Sequence, residues 1–572
     1  MDRWDEEVDV LVVGSGAGGM VAALRAADLG ARTLLIEKSR LYGGATAMSG
    51  GVVWIPNNHM MAAVGIDDSE EEAVAYLRGL TEGRVAEARI LAYVRQSGAM
   101  LKWVMTATRA RFMAMDMYPD YYPDVPGFKP GGRSCDPLPF DGRLLGEEFH
   151  HLRPSHPQVL VFGRLAMTAY EVRKVFQKAP GWLGLFLSTA LNYALDLRQR
   201  LRSPRSRRAT LGNGIVAALR MSMIDRNIPL RRECGLKELV CDQGRVVGAV
   251  VEQQGQLRRI RARRGVVLAA GGFESSQAMR EQYLPKPTRA EWTAASPANT
   301  GEVIQAGQAI GAATDFMDEA WWGPTVRVPG EESARMMIIE KALPGCLFVN
   351  RSGQRFTNEA APYIQVIQDM YAAHRAGVES VPAWMVFGRF YRHKYPMGPL
   401  LPGANQPDFM VPRRYWDRFV YKADTPEELA ARIGVDPAGL RQSIDRMNHY
   451  AQTGVDEEFD KGGNENDRYY GDESVTPNPC LAPVEAPYYA VQIFPGELGT
   501  KGGLLTDEHG QVLTAEGGPI AGLYATGNCA ASVTGASYPG AGSTIGPSMT
   551  FGYAAVNHLL GGEEPAQRSA GE

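Results

Sequence analysis

The sequence predicts an α/β fold: a nucleotide-binding domain built on a parallel sheet and split along the chain by an inserted α+β domain. Three observations carry this expectation. A strand, a glycine loop, a helix and a second strand open the chain. Further apolar strands ending in small residues lie far downstream. The stretch between them is rich in Trp, Tyr, Pro and Met. At 572 residues the chain exceeds one ordinary core, so at least two domains are expected.

The opening unit is "VDVLVVGSGAGGMVAALRAADLGARTLLIEKS". Val8 to Val13 is a short apolar run, read as a buried parallel strand. Gly14, Gly16 and Gly19 fit G-x-G-x-x-G, with Ala17 and Gly18 inside the motif. Ala22 to Leu29 reads as helix and Gly30 stops it. Thr33 to Ile36 is a second strand closing on Glu37. This is a Rossmann-like arrangement. The loop and helix N-terminus take a pyrophosphate, and the acid takes a ribose hydroxyl.

An NAD domain would continue into its next βαβ unit. Here "KSRLYGGATAMSGG" follows, with Lys38, Gly43, Gly44, Ala45, Thr46, Ser49, Gly50 and Gly51 in a second glycine-rich pass. Three later pieces join it. "GVVLAAGGFESS" is an apolar strand ending in Ala270, Gly271 and Gly272. "PANTGEVIQAGQAIGA" sets Asn299 before a helix. "GLYATGNCA" is a strand ending in Gly527 and Asn528. In this order the pieces resemble the flavin-binding passes of fumarate reductase and succinate dehydrogenase type flavoproteins. The resemblance implies FAD. It implies non-covalent FAD, because the second glycine pass lacks the histidine that anchors covalent flavin in that group.

The flavin elements sit at both ends, so the FAD domain is expected at 1–290 and 486–560. The second domain takes 291–485 and a flexible tail takes 561–572. "TPEELAARIGVDPAGLRQSIDRMNHYAQTG" reads as a helix–turn–helix pair serving as scaffold. A net charge of −4 gives no reason to expect nucleic acid. The six cysteines are scattered without CxxC, so neither a disulfide framework nor a metal site is expected. They read as reduced, buried thiols of a cytoplasmic protein. The N-terminus does not read as a secretory signal.

Candidate chemistry lies in three tyrosine-bearing stretches: "MYPDYYPDVPG", "LFVNRSGQRFTNEAAPY" and "GASYPGAG". Together with "RHKYPMGPLLPG" and "ELGTKGGLLTD" they resemble 3-ketosteroid Δ1-dehydrogenases over most of the chain. The resemblance implies 1,2-desaturation of a 3-ketosteroid: a C2 proton leaves to a base and a C1 hydride leaves to flavin N5. It implies Tyr363 as the base and Tyr121 as the hydroxyl that lowers its pKa. The Tyr538 hydroxyl and the Gly542 N–H become the donors to the C3 carbonyl, in the manner of an oxyanion hole. Tyr118 and Tyr122 read as packing. Fumarate reductases place an arginine where this chain has Tyr538. The alternatives are a 3-ketosteroid Δ4-(5α)-dehydrogenase, a fumarate reductase-like enzyme, and a flavin-holding electron-transfer protein. No segment identifies the external electron acceptor.

"APGWLGLFLSTALNYALDLRQRLRSPRSRR" stands apart. Ala179 to Ala194 carries no charge, and six arginines follow, Arg198, Arg200, Arg202, Arg205, Arg207 and Arg208. The run is short for a membrane span and reads as an interfacial helix over 179–208, resting on an anionic lipid surface. Peripheral membrane association follows, and with it sterol substrates such as cholest-4-en-3-one.

Overall fold

The computed structural model describes residues 3–176 and 179–561. Val8, Val10, Leu11, Val12 and Val13 are all buried, as a strand covered on both faces must be. Glu6–Val13 pairs in parallel with Thr33–Ile36 on one side and with Gln256–Leu268 on the other. The chain order in this eight-stranded sheet is Gln511–Leu513, Pro519–Ala525, Arg245–Gln253, Gln256–Leu268, Glu6–Val13, Thr33–Ile36 and Leu230–Arg231. Cys234–Asp242 pairs with Arg245–Gln253. The downstream strand Pro519–Ala525 also lies parallel to Gln256–Leu268, so the two ends of the chain share one sheet.

The first helix runs Ala17–Asp28, starting inside the glycine motif and five residues before the expected Ala22. It packs against the C-terminal helix Ile545–Leu560. Gly18 and Gly552 make that contact possible, since a Cβ on Gly552 would lie 2.5 Å from the Gly18 carbonyl oxygen.

A second, antiparallel sheet has six strands. Its order is Arg335–Met336, Ala320–Val326, Tyr488–Thr500, Ala383–Phe387 and Cys346–Val349, with Val420–Ala423 also pairing with Tyr488–Thr500. The helices Pro426–Ile433 and Pro437–Thr453 form the expected pair and cover one face of this sheet through Leu429, Leu440 and Ile444. Thr425 and Asp436 cap their N-termini.

One boundary differs from expectation. The return to the nucleotide-binding sheet is expected at 486, but Tyr488–Thr500 is the shared central strand of the second sheet. The first strand of the eight-stranded sheet after it is Gln511–Leu513. The tyrosine-rich, uncharged run at 488–494 reads equally well as a strand of either sheet, which is why composition misplaced the join. The expected flexible tail falls, from residue 562 on, outside the described residues.

The arginine run also departs from expectation. The apolar stretch is a helix, Trp182–Leu195. Three of the six arginines turn inward. Arg205 donates to the Leu152 carbonyl and to Asn213 Oδ1, Arg207 pairs with Asp196, and Arg208 pairs with Glu171. Arg200 caps the local turn at the Pro204 and Arg205 carbonyls. Only Arg198 and Arg202 of the six are exposed. No helix among the described residues is long and apolar enough to cross a membrane. Five of the six free cysteines are buried as expected, and Cys241 is exposed.

Candidate active site

The nucleotide side is built from glycines that touch backbone and glycines that face open space. Gly14 has φ +105°, and a Cβ there would sit 2.4 Å from the Ala269 carbonyl oxygen. Gly19 would strike the Gly14 carbonyl. Gly16, Gly44 and Gly50 have nothing closer than 3.5 Å, leaving a trough along the first helix N-terminus. Such a trough of loop amides suits a pyrophosphate, so the residues present fit FAD. Thr46 Oγ1 accepts from the Ala17 N–H and ties the second glycine pass, with Ala45, to the first. Ser49 Oγ donates to the Thr46 carbonyl and accepts from Gly51 N–H, while Gly43 N–H donates to Ser15 Oγ.

Glu37 is buried and accepts from Ser15 Oγ at 2.6 Å and from Ser39 N–H at 2.9 Å. Its carboxylate is thereby fixed at the end of the second strand. Lys38 Nζ binds Thr300 Oγ1 and Glu302, tying the pass to the helix that follows Asn299. Asn299 Nδ2 donates to Glu274 Oε1, and Asn299 packs against Gly271. Gly272 lies against Thr500, where a Cβ would not fit. Thr526, Gly527, Asn528, Ser548, Trp321 and Lys501 line one cleft. Trp321 Nε1 donates to Asn528 Oδ1 at 3.1 Å, so the second sheet meets the last flavin pass there.

The three predicted tyrosines converge. Tyr121 and Tyr363 share a hydroxyl–hydroxyl hydrogen bond. Ring centroids lie 5.4 Å apart for Tyr121–Tyr363 and 5.5 Å for both Tyr121–Tyr538 and Tyr363–Tyr538. All three are buried. Trp321 sits edge-on to Tyr538 at 4.9 Å.

Each tyrosine is held by polar contacts in its own loop. Tyr121 N–H donates to the Pro539 carbonyl, which also accepts from Tyr76 Oη, so the Tyr121 loop is stitched to the Tyr538 loop. Arg133 forks between Asp68 and Asp120, and Asp120 also accepts from Trp54 Nε1 at 2.7 Å. Burial pushes the Asp120 carboxyl up to about 6 even though Arg133 pulls it down. Tyr363 opens the helix Tyr363–Arg375 behind Pro362. The "RF.NE" residues anchor the approach to it: Arg355 grips both Glu359 and Asp456. Burial opposes the Glu359 charge, but Arg355 and Lys461 overcome it and hold the carboxyl at about 2. Lys341 Nζ then donates to the Glu359 and Ala361 carbonyls.

Gly542 has φ +96°, and a Cβ there would lie 2.5 Å from the Val52 carbonyl oxygen and 2.6 Å from the Trp54 nitrogen. Its carbonyl accepts from Trp54 N–H, and its own N–H has no partner among the described residues. A free amide N–H and the Tyr538 hydroxyl thus belong to one loop, four residues apart.

The hydrogen bond from Tyr121 lowers the Tyr363 pKa, in the expected direction, but burial outweighs it. Burial raises Tyr363 well above 10, with Tyr118 and Tyr538 adding to the rise, and the hydrogen bonds from Tyr121 and Tyr470 recover only part of it.

Sequence reasoning missed Tyr470. Its hydroxyl bonds that of Tyr118, and Tyr118 also stacks near Tyr469 at 4.8 Å. Tyr118 was read as packing, yet its hydroxyl belongs to the same phenol cluster. "DRYYGD" around Tyr470 carries no motif that marks it. Tyr122 is half-buried against the core, as expected.

Residues 9–545 match the family described as FAD binding domain. A 3-oxosteroid 1-dehydrogenase of Mycobacterium tuberculosis is 40% identical over 97% of this chain and 98% of its own. The chain belongs to the 3-oxosteroid 1-dehydrogenase family of FAD flavoproteins. The crystal structure of 3-ketosteroid Δ1-dehydrogenase from Sterolibacterium denitrificans, in complex with 1,4-androstadiene-3,17-dione, is similar to it. The TM-score is 0.94 at 49% identity, covering 98% of this chain and 100% of that one. A 4-oxocyclohexanecarboxylate 2-dehydrogenase of Sinomonas cyclohexanicum is 34% identical over 97% of this chain and 93% of its own. Both names put the dehydrogenated ring carbon two positions from a ketone, 1 against 3 and 2 against 4, whereas the steroid skeleton is in only one of them.

Proposed function

We propose that the protein is an FAD-dependent dehydrogenase that converts 3-keto-4-ene steroids to 3-keto-1,4-dienes. The observation that carries the mechanism is the Tyr121–Tyr363 hydroxyl pair within a triangle completed by Tyr538. Tyr363 takes the C2 proton onto its phenolate oxygen. Tyr121 donates to that oxygen and stabilises the charge before transfer. The Tyr538 hydroxyl and the Gly542 N–H donate to the C3 carbonyl oxygen, where enolate charge collects as the proton leaves. Gly14, Gly16, Ala17, Gly44 and Thr46 would hold the FAD pyrophosphate, and Gly527 and Asn528 would meet the flavin end. When bound, FAD supplies the two-electron acceptor for the C1 hydride. Burial of the three rings keeps bulk water away from the enolate.

Anaerobic mixing of the holoprotein with a 3-keto-4-ene steroid tests this reading. The flavin absorbance should bleach, and the product should carry a new C1–C2 double bond. Bleaching with a 5α-3-ketosteroid and a new C4–C5 bond would favour the sister activity instead.

The sterol and membrane part rests on an exposed ridge. Leu183, Leu187, Leu191 and Leu195 recur every four residues on the helix Trp182–Leu195 and are each more than half exposed. Such spacing is one helix face. Twelve of the eighteen exposed large hydrophobics among the described residues fall between 113 and 201, so exposed apolar side chains are concentrated in the part of the chain that carries the ridge. Arg198 and Arg202 flank the ridge on the exposed side. This surface suits an anionic bilayer, from which a sterol with an intact side chain is drawn. Arg173, on the helix Ala169–Phe176 that packs against the ridge helix, lies over the Tyr469 ring at 5.2 Å, so the ridge is joined to the phenol cluster through that helix.

A further inference from the structure

We infer that Lys341 is a positioning residue for Tyr363 that acts through its charge: its ammonium lies against the tyrosine ring and favours the phenolate. This rests on the reading of Tyr363 as the base. Lys341 is fully buried, and its Nζ lies 5.7 Å from the Tyr363 ring centroid. The same Nζ bonds the carbonyls of Glu359 and Ala361, four and two residues before Tyr363.

A comparison inside the molecule separates clamp from charge. Beneath Tyr538, buried Lys501 bonds the carbonyls of Gly535 and Ser537, three and one residues before that tyrosine. The mechanical device therefore occurs twice. The Lys501 ammonium, however, faces the Trp321 ring at 4.1 Å. Tyr538 donates a proton and stays neutral, whereas Tyr363 must become an anion. The lysine that faces a catalytic ring is the one under the ring that ionises.

Among the described residues no second cation lies over the Tyr363 ring. Tyr363 is otherwise faced by the phenols of Tyr118, Tyr121, Tyr470 and Tyr538. These can donate hydrogen bonds but carry no charge. Lys341 is in turn faced by Asp467, Lys461, Glu359 and Cys346. Glu359 is already paired with Arg355 and Lys461. Burial draws the Lys341 ammonium down to about 7, while Asp467 holds it up. With Nζ 5.7 Å from the ring centroid, its proton and that of Tyr363 are linked by proximity: ionising the phenol favours the ammonium.

The test compares holoenzymes of wild type, Lys341→Met, Lys341→Arg and Tyr363→Phe. Flavin reduction by a 3-keto-4-ene steroid is followed anaerobically from about pH 6 to about pH 10, a range bracketing an ordinary tyrosine. In Lys341→Met the rising limb should move up by about one pH unit or more, as loss of a neighbouring opposite charge does. Reduction near neutral pH should then fall about tenfold and recover in alkali. Lys341→Arg should restore the wild-type limb. A Lys341→Met enzyme that is slow at every pH on an unmoved profile overturns the inference and leaves a clamp only. If that variant does not retain FAD, ¹⁵N-lysine spectra of the wild type decide, with Lys341→Arg assigning the signal. A neutral Lys341 amine while Tyr363 ionises overturns the inference, and an ammonium supports it. Near wild-type reduction by Tyr363→Phe removes the base itself. Collapse of Tyr363→Phe with an unmoved Lys341→Met profile removes only the role of the lysine.

Discussion

The hydroxyls of Tyr121 and Tyr363 share a hydrogen bond although 242 residues separate them in the chain. One comes from a loop after the second glycine pass and the other from a helix start in the inserted sheet's layer. Tyr363→Phe removes the acceptor and should abolish flavin reduction at every pH. Tyr121→Phe removes only the donor to it, so reduction should persist but need higher pH. Stopped-flow bleaching across pH distinguishes the two. Because phenolate is the active form, wild-type reduction should accelerate as pH rises.

Tyr538 and Gly542 should fail differently from the base. Tyr538→Phe removes one of two donors to the carbonyl, a loss that costs on the order of 10²–10³ in rate. Its pH limb should stay in place. Gly542→Ala forces a Cβ to within 2.6 Å of the Trp54 nitrogen at φ +96°. Backbone strain of this kind costs about 1–3 kcal/mol. The alanine enzyme should therefore melt earlier as well as react slowly, whereas Tyr538→Phe should keep its melting temperature. Equal melting of both variants would remove the strain argument.

Acid should unfold the inserted domain through Glu359. Its carboxyl is held at about 2, below the ordinary value of 4.5. A depressed acid stabilises the fold above its unfolded pKa, and that stability is lost as pH falls from about 4.5 toward 2. Glu359→Gln leaves Arg355 and Lys461 short of a partner, which at a buried pair costs about 3–5 kcal/mol. Urea midpoints should drop in the variant near neutral pH, and their decline between about pH 5 and about pH 3 should flatten.

The arginines after the apolar helix should divide into two classes. Arg198→Gln with Arg202→Gln should weaken co-sedimentation with anionic vesicles and leave the melting temperature unchanged. Leu187→Ser with Leu191→Ser should weaken it further. Arg205→Gln should instead destabilise the fold, because its guanidinium serves buried carbonyls and Asn213. Wild-type binding should fall as salt rises. Vesicle binding untouched by the leucine and exposed-arginine changes would dismiss the lipid surface.

The flavin passes were legible because each couples a short apolar strand to glycines that must approach backbone, as Gly14 and Gly19 do. Such constraints are local and leave a local trace. Tyr363, Tyr121 and Tyr538 came from a family resemblance, and their spatial meeting depends on three distant loops. Tyr470 and Lys341 left no trace, since a single tyrosine or buried lysine has no period or spacing. The arginine run misled for the opposite reason. Its charge density was plain, but the inward turn of Arg205, Arg207 and Arg208 depends on Asn213, Asp196 and Glu171, which only the fold brings near.

The strand Tyr488–Thr500 stands at the centre of the second sheet, and the helix Ile545–Leu560 closes on the first. Both are made late in synthesis. A nascent chain stopped before residue 488 holds the outer strands of one sheet without their common partner, and the other sheet without Pro519–Ala525. Chains usually fold domain by domain from the N-terminus as they emerge. Here the inserted sheet can close only once Thr500 has emerged, and the domain begun at the N-terminus closes later still, with Pro519–Ala525 and Ile545–Leu560, so a nonsense codon before residue 488 removes the completing element of both at once.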